Sequence, residues 1–255
     1  MLQSKKHQTY DMFRILHTLL LVTVLAQGAA QATDFTPAPA GPYRVGFHVR
    51  QQYDRARVYQ HPRNPVTAQA TSGDRARPLQ TLVWYPAIGT GGALTYRDYV
   101  TTVATEEEFS RMPDQVRRAT DLLAGTSGLP SPVRALRDAP ERPGKFPVVI
   151  YAPSHSAYAV ENTDLCEYLA SHGYIVLATP SLGPRSHTMT ADLESAEAQA
   201  ADIGFLVGYA HTLAQADTGR IAVVGRSWGS LASVLACSAT CFQARAWTLA
   251  VWVRT

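Results

Sequence analysis

The stretch from Arg220 to Ser238 constrains the fold of this chain more than any other part of the sequence. The four apolar residues Ile221 to Val224 predict a strand, and the apolar pattern after Gly229 is typical of a helix. Between them stands Gly-Arg-Ser-Trp-Gly, with Ser227 at the tip of a very tight turn. Gly225 and Gly229 flank the serine because strand and helix can approach this closely only where no Cβ intervenes. G-x-S-x-G between a strand and a helix is the spacing of a nucleophile elbow, which predicts an exposed serine hydroxyl above the edge of a sheet.

A serine at such a turn needs partners before it can act as a nucleophile. At neutral pH its hydroxyl needs a base to take the proton, and the base needs an acid that orients it. The negative oxygen formed on a substrate needs two hydrogen-bond donors. The backbone N–H of Trp228, at the start of the predicted helix, is the first expected donor. The second is expected from the loop Pro153-Ser154-His155-Ser156-Ala157, which follows an apolar strand.

Composition limits the classes of function that this chain can have. Its 255 residues, 46% of them hydrophobic and 17% charged, suit one globular α/β domain with a sizeable core. The net charge of +3, without a basic stripe, argues against nucleic acid as a partner. The sequence has neither H-E-x-x-H nor paired C-x-x-C motifs, so we expect no metal site and no cofactor.

The N-terminus has the features of a targeting segment. Basic residues precede a short apolar run from Ile15 to Ala26, and Ala30-Gln31-Ala32 matches a small-x-small cleavage site. We expect residues 1–32 to be a secretory signal peptide cleaved near Ala32, and the domain 33–255 to be secreted or periplasmic. The run is short for a membrane span, so stable insertion is not expected, although an uncleaved anchor is the alternative.

Export would place the three cysteines in an oxidising compartment. Cys237 and Cys241 are close enough in sequence for a local disulfide bond. A buried thiol is the alternative for at least one cysteine, and Cys166 lies in a predicted helix.

Strands and helices alternate along most of the remaining sequence. A helix capped by Asn162 and closed by Gly173 is predicted, and a second helix from Ala191 to Leu213. Residues Gln51 to Ala76 are predicted to form a loop. The predicted strands are Tyr43–Val49, Leu79–Tyr85, Phe146–Ala152, Tyr174–Thr179, Arg220–Val224 and Ala246–Val253. This alternation predicts an α/β fold whose mostly parallel sheet carries helices on both faces.

Residues 87–145 interrupt the alternation. Thr105 followed by three glutamates predicts a helix start, and Pro113 is expected to interrupt that helix. An apolar face from Val116 to Leu123 predicts a second helix, which ends at Gly125. The excursion is either a cap over a pocket or a decoration of the surface.

From Val45 to Ser238 the sequence resembles the α/β-hydrolase family, and within it the esterases similar to dienelactone hydrolase and platelet-activating-factor acetylhydrolase. The resemblance rests on the elbow, on Leu82-Val83-Trp84-Tyr85-Pro86, and on Ser154-His155 followed by the Asn162–His172 helix and Gly173-Tyr174. It implies the α/β-hydrolase fold, with Ser227 as the nucleophile that is acylated by a small carboxylic ester. No cofactor is implied.

The resemblance also implies roles for the loop after the Phe146–Ala152 strand. Ser156 and Ala157 lie where these esterases place the second oxyanion N–H, and Ala157 matches best. The family usually has glycine directly after the loop histidine, whereas this chain has Ser156. His155 is expected to make a structural hydrogen bond.

The base and its acid are missing from their usual positions. In the family an Asp or Glu and then a His follow the nucleophile along the chain, but the sequence has none of these residues after Ser227. We therefore expect a C-terminally truncated chain that lacks the last strands and is weakly active or inactive. His187, with Asp192 nearby, is an upstream candidate for the base. The alternative, which we favour, is that His187 is a solvated histidine in a loop. The strand Ala246–Val253 would become an exposed edge at which two chains could associate.

Three functions remain open from the sequence. The leading expectation is a serine hydrolase of carboxylic esters or related acyl bonds that acts through acyl-Ser227. A catalytically inactive binding domain would keep the pocket without the chemistry. A peptidase or thioesterase could use the same elbow on a different leaving group.

Overall fold

The computed structural model describes residues 39–59, 75–124, 131–240 and 247–252. The predicted signal peptide, residues 1–32, lies outside the described residues, as do Gly125 and Cys241. The elements below all belong to the compact unit Ala40–Thr255.

The described strands form one eight-stranded sheet. They are β1 (Arg44–Val58), β2 (Ala76–Ala87), β3 (Gly92–Thr95), β4 (Pro132–Arg137), β5 (Phe146–Ala152), β6 (Ile175–Ala178), β7 (Ala216–Arg226) and β8 (Trp247–Trp252). Their order in the sheet is β3-β4-β1-β2-β6-β5-β7-β8. The run β6-β5-β7-β8 is parallel, and β2 is antiparallel to both of its neighbours. The predicted α/β fold is thereby confirmed.

Helices cover both faces of this sheet. They are α1 (Tyr96–Val103), α2 (Pro113–Ala124), α3 (Thr163–Ser171), α4 (Leu193–Ala210) and α5 (Trp228–Thr240). One core cluster contains Val148 and Ile150 of β5 together with residues of α4 and α5. The other contains Val149 and Tyr151 together with residues of α1 and α3. Successive residues of β5 thus point into opposite cores, which explains why its sequence is apolar throughout.

The predicted loop Gln51–Ala76 is wrong at both ends. β1 continues to Val58, and β2 already begins at Ala76. The residues from Arg44 to Asp54 pair one to one with β2. Polar residues can form this part of β1 because one face of the hairpin remains partly exposed, while the continuous antiparallel pairing satisfies their backbone groups. Residues 60–74 lie outside the described part of the chain.

The helix predicted to start at Thr105 is also wrong. Thr95 instead starts α1, and its N–H donates to Asp98 Oδ2 at 2.8 Å in a capping box. Pro113 does not interrupt a helix but begins α2, where a missing N–H has no cost. The excursion also contributes two strands that the sequence did not reveal, β3 and β4, which extend the sheet beyond β1. Its role as a cap stays a prediction.

Cys166 on α3 is a fully buried thiol without a disulfide bond. Burial raises the pKa of this thiol well above its usual range, so it behaves as a small apolar core residue. The alternative Cys237–Cys241 disulfide involves a residue outside the described part. In the segments that the structure describes, helices are too short or too polar to cross a membrane.

Candidate active site

The junction of β7 and α5 has the geometry of the predicted elbow. β7 ends at Arg226, α5 begins at Trp228, and the exposed Ser227 between them has a left-handed φ of 50°. A Cβ on Gly225 would lie 2.5 Å from the carbonyl carbon of Gly229, and one on Gly229 would lie 2.1 Å from the carbonyl oxygen of Ala152. Both contacts are sterically forbidden, so the turn requires glycine on each side of the serine.

The N–H of Trp228 is the first expected oxyanion donor. It lies at the first position of α5, where N–H groups have no partner within a helix. It makes no hydrogen bond to any residue in the described ranges. This N–H, together with the positive end of the helix, is therefore available to a negative oxygen beside Ser227.

The loop after β5 is a tight turn in which the candidate second donors already have acceptors. The Ala157 N–H donates to the Ser154 carbonyl at 3.1 Å, and the Ser156 N–H faces Met189 Sδ at 3.3 Å. The Ser156 hydroxyl in turn accepts a 2.8 Å hydrogen bond from the Met189 N–H. An oxyanion would have to displace one of these acceptors, and the thioether sulfur is the weaker of the two.

Ser156 lies at a turn position where the backbone conformation favours glycine. Its φ of 52° lies in the left-handed region that favours glycine. The serine adopts the same backbone conformation, so the shape of the turn is retained. The hydrogen bond with Met189 helps to hold a conformation that is otherwise unfavourable for a residue with a Cβ.

His155 packs against the elbow through its ring and does not make the predicted hydrogen bond within the described residues. Its ring meets the Trp228 ring edge-on, with centroids 5.4 Å apart. The contact joins the loop after β5 to the first residue of α5. The Trp228 Nε1 is buried and has no hydrogen-bond partner among the described residues.

His187 lies in the loop after β6 and is not a solvated loop histidine. Its side chain is 24% exposed and its Nε2 lies 3.7 Å from Oε2 of Glu106, beyond hydrogen-bond distance but within that of an ion pair. The Tyr158 ring packs on the imidazole with centroids 5.0 Å apart. The interaction with the Glu106 carboxylate raises the pKa of His187, and burial opposes this effect.

Glu106 is the site residue that the sequence did not reveal. From sequence it is one of three consecutive acids predicted in the first turn of a helix; in the structure its side chain is buried, at 1% exposure. Its Oε1 accepts a 2.9 Å hydrogen bond from the Ala159 N–H, which ties the excursion to the segment after the oxyanion loop. Burial raises the pKa of this carboxyl group, and His187 lowers it. Asp192, the acid expected near His187, instead caps α4 by accepting from the Ser195 N–H at 2.9 Å.

The structure does not bring a base to the serine. Within the ranges that it describes, no histidine or carboxylate lies within hydrogen-bond distance of Ser227 Oγ. The same ranges contain no cluster of three His, Cys, Asp or Glu side chains that could hold a metal ion.

The sequence family described as Chlorophyllase matches residues 109–244, which is more than half of the 255-residue chain. The chain belongs to the Chlorophyllase family. The matched range contains Ser156, Ala157, His187 and Ser227, and it begins just after Glu106. No curated protein matches the chain in sequence.

Solved structures place this Chlorophyllase-family chain in the predicted fold class. A ferulic acid esterase from Streptomyces cinnamoneus is similar, with a TM-score of 0.55 and 21% sequence identity. The similarity covers 79% of this chain and 57% of that chain. It shows the α/β-hydrolase fold, and the chain spans little more than half the length of the structure it matches. The predicted C-terminal truncation stays a prediction.

Proposed function

We propose that this chain is a serine hydrolase that cleaves carboxylic esters through an acyl-Ser227 intermediate. The observation that carries the proposal is the left-handed, exposed Ser227 between β7 and α5, flanked by two glycines that cannot accept a Cβ. Membership in the Chlorophyllase family and similarity to a ferulic acid esterase support the same class of reaction.

The proposed reaction proceeds in two steps. Ser227 Oγ attacks the ester carbonyl as a base takes its proton, and the resulting oxyanion accepts hydrogen bonds from the Trp228 N–H and from the Ser156 or Ala157 N–H. The carbon–oxygen bond to the alcohol then breaks, and the alcohol leaves with the proton. Water, activated by the same base, attacks the acyl group and releases the acid and free Ser227.

His187 is the candidate for the base within this chain, with Glu106 as its orienting acid. Among the described histidines it is the one that forms an ion pair with a carboxylate, and its loop follows β6 at the sheet edge that holds the elbow. Because β5 separates β6 from β7, the ends of β6 and β7 lie about 10 Å apart. Proton transfer therefore requires movement of the loop or a bridging water on substrate binding.

A catalytically inactive binding domain is the second candidate. It is favoured by the lack of any base within hydrogen-bond distance of Ser227 Oγ in the described residues. A domain of this kind would retain the elbow and bind a ligand there without turnover.

A fluorophosphonate probe separates the two candidates because it labels only an activated serine. We expect the folded chain to be labelled, Ser227→Ala to be unlabelled, and a small aryl ester to be hydrolysed faster than the matched thioester or amide. A folded chain that remains unlabelled would instead support the binding domain. Preference for the thioester or amide would support the related thioesterase or peptidase activity.

The role of His187 is tested by the same labelling reaction. His187→Ala should slow labelling by about 100-fold or more, as expected for loss of a general base. His172→Ala is the matched control, because His172 lies at the end of α3 and bonds to the Tyr168 carbonyl instead. Equal labelling rates in the two variants would exclude His187 as the base.

We also propose that the chain is exported, on the strength of the N-terminal sequence. The mature protein recovered from the periplasm or the medium should begin near Thr33. A protein that retains residues 1–32 in the cytoplasm would contradict this proposal.

A further inference from the structure

A single carboxylate, that of Glu161, lies beneath the loop that carries the second oxyanion donor. Its Oε2 accepts hydrogen bonds from the Ser154 N–H at 3.0 Å and the Tyr151 hydroxyl at 2.9 Å. Its Oε1 accepts from the Arg226 guanidinium at 2.8 Å and from the Ser154 hydroxyl. The Glu161 side chain is only 11% exposed, so four donors surround a nearly buried charge.

These donors come from both halves of the proposed active site. Ser154 begins the turn that ends at Ala157, and Arg226 directly precedes Ser227. Backbone pairing between β5 and β7 ends at Ala152 and Gly225, before either segment reaches the site. Beyond that pair, Glu161 provides a polar connection between the oxyanion loop and the elbow.

The contacts of Glu161 fix the part of the loop that determines where the donors point. Ser154 is held through both its N–H and its hydroxyl, and its carbonyl accepts the Ala157 N–H that closes the turn. A shift of Ser154 would therefore move Ser156 and Ala157 relative to Ser227. On the other side, a charge-assisted hydrogen bond to Arg226 restrains the residue next to the nucleophile.

We propose that Glu161 is a positioning residue that sets the separation between the oxyanion loop and Ser227. The proposal rests on the function proposed above and extends it, because Glu161 need not touch the substrate. A displacement of about 1 Å in a reacting group can reduce a rate by about 100-fold. Loss of the Glu161 contacts should therefore lower the rate of the chemical step more than it weakens substrate binding.

The chain contains a matched control, Glu167 on α3. This carboxylate is also buried, at 3% exposure, and it accepts from the Tyr99 hydroxyl at 2.6 Å and from the backbone N–H groups of Arg134 and Ala135 at 3.0 and 3.2 Å. Its contacts join α3 to α1 and β4, not to the elbow or the oxyanion loop. Glu167→Gln therefore reproduces the loss of a buried carboxylate without disturbing the proposed site.

The test compares Glu161→Gln and Glu167→Gln in the full chain by fluorophosphonate labelling, and by kcat and KM on a small aryl ester. We expect Glu161→Gln to lower the labelling rate and kcat by about 10- to 100-fold with little change in KM. Glu167→Gln should retain the wild-type labelling rate while lowering the melting temperature. Equal rates in the two folded variants would overturn the proposal.

Two further measurements keep the proposal testable if the first one fails. If Glu161→Gln does not fold, Arg226→Gln takes its place, because it removes one Glu161 contact at a half-exposed side chain. Arg226→Gln should also lower kcat, and an unchanged kcat would refute the proposal. If wild type is not labelled, the proposed function fails, and amide hydrogen exchange then tests positioning by itself. Exchange from Ser154 to Ala157 should be faster in Glu161→Gln than in Glu167→Gln, and equal exchange would refute the role of Glu161.

Discussion

Ser227 has a left-handed backbone φ of 50°, which is strained for a residue with a Cβ. Its exposed hydroxyl makes no hydrogen bond to the described residues, so substitutions at this position measure the backbone strain without the loss of a hydrogen bond. Ser227→Ala and Ser227→Gly both remove the hydroxyl, but only glycine also removes the Cβ. The left-handed conformation costs a residue with a Cβ about 1–2 kcal/mol. Glycine also lowers the free energy of unfolding by about 0.5–1 kcal/mol, because it increases the entropy of the unfolded chain. We therefore expect Ser227→Gly to unfold with a free energy about 0.5–1 kcal/mol higher than that of Ser227→Ala.

Urea and thermal unfolding followed by circular dichroism measure this difference. For a domain of this size about 1 kcal/mol corresponds to a shift of about 2–4 °C in melting temperature. Ser186 provides the control, because it is an exposed loop serine that is not among the described residues with positive φ. There only the entropy of the unfolded chain acts, so Ser186→Gly should be less stable than Ser186→Ala by about 0.4–1 kcal/mol.

The order of stability should thus reverse between the two positions. If Ser227→Ala is at least as stable as Ser227→Gly, as at Ser186, then the elbow stores no backbone strain. That result would remove the observation on which the proposed function depends most. A reversed order would show that the chain keeps an unfavourable conformation at the serine, as expected for a functional turn.

The same reasoning applies to Ser156. Ser156→Ala keeps the left-handed strain and loses the hydrogen bond from Met189, so it should be less stable than wild type by about 1 kcal/mol in thermal unfolding. Ser156→Gly loses the same hydrogen bond but also the strain, so its stability should be close to that of wild type. The pKa of His187 is raised above 6.5 in the folded chain, so its contribution to stability is fully present below pH 6.5 and is lost as the pH rises through the raised value. An NMR titration should therefore give a lower pKa for His187 in Glu106→Gln than in wild type, and an unchanged pKa would exclude the ion pair. Because β8 lies at the edge of the described sheet, light scattering should show association that increases with protein concentration, and a monomer at high concentration would contradict it.

The central part of the fold is predictable because its strands are buried on both faces. β5 has the predicted bounds, Phe146–Ala152, and β6 lies within its predicted range. Strands of this kind contain apolar residues at every position, so their limits are visible in sequence as the ends of an apolar run. The elbow is predictable for a similar reason, because close contact of a strand and a helix leaves glycine as the only residue that fits.

The edge of the sheet and the excursion are less predictable because weak local signals compete there. Thr95 with Asp98 and Thr105 with its glutamates are both reasonable helix starts, and the structure uses the first. The preference depends on packing, since Tyr99 of α1 is fully buried and donates a hydrogen bond to Glu167 on α3. A contact between residues so distant in sequence leaves no local pattern.

The burial of two carboxylates in the candidate site is unpredictable for the same reason, since it depends on contacts between residues distant in sequence. Neither Glu106 nor Glu161 stands out in the sequence as a buried acid, because ionised side chains are seldom buried without partners. Their partners come from other segments: Ala159 and His187 for Glu106, and Ser154 and Arg226 for Glu161. Sequence spacing identifies a nucleophile and its turn, whereas the groups that hold them in place are visible only once the fold is formed.

Strain and chemistry at the elbow are separable, and together they distinguish an enzyme from a binding domain. Ser227→Ala keeps the strained turn without the nucleophile, and Ser227→Gly removes both. If the chain only binds a ligand beside the elbow, both variants should bind it about as well as wild type. If it is a hydrolase, both should lose labelling, and Glu161→Gln should slow labelling of an otherwise intact Ser227. Loss of labelling in both serine variants would identify Ser227 as the reacting serine, and slower labelling in Glu161→Gln would show that its reactivity depends on the contacts of Glu161.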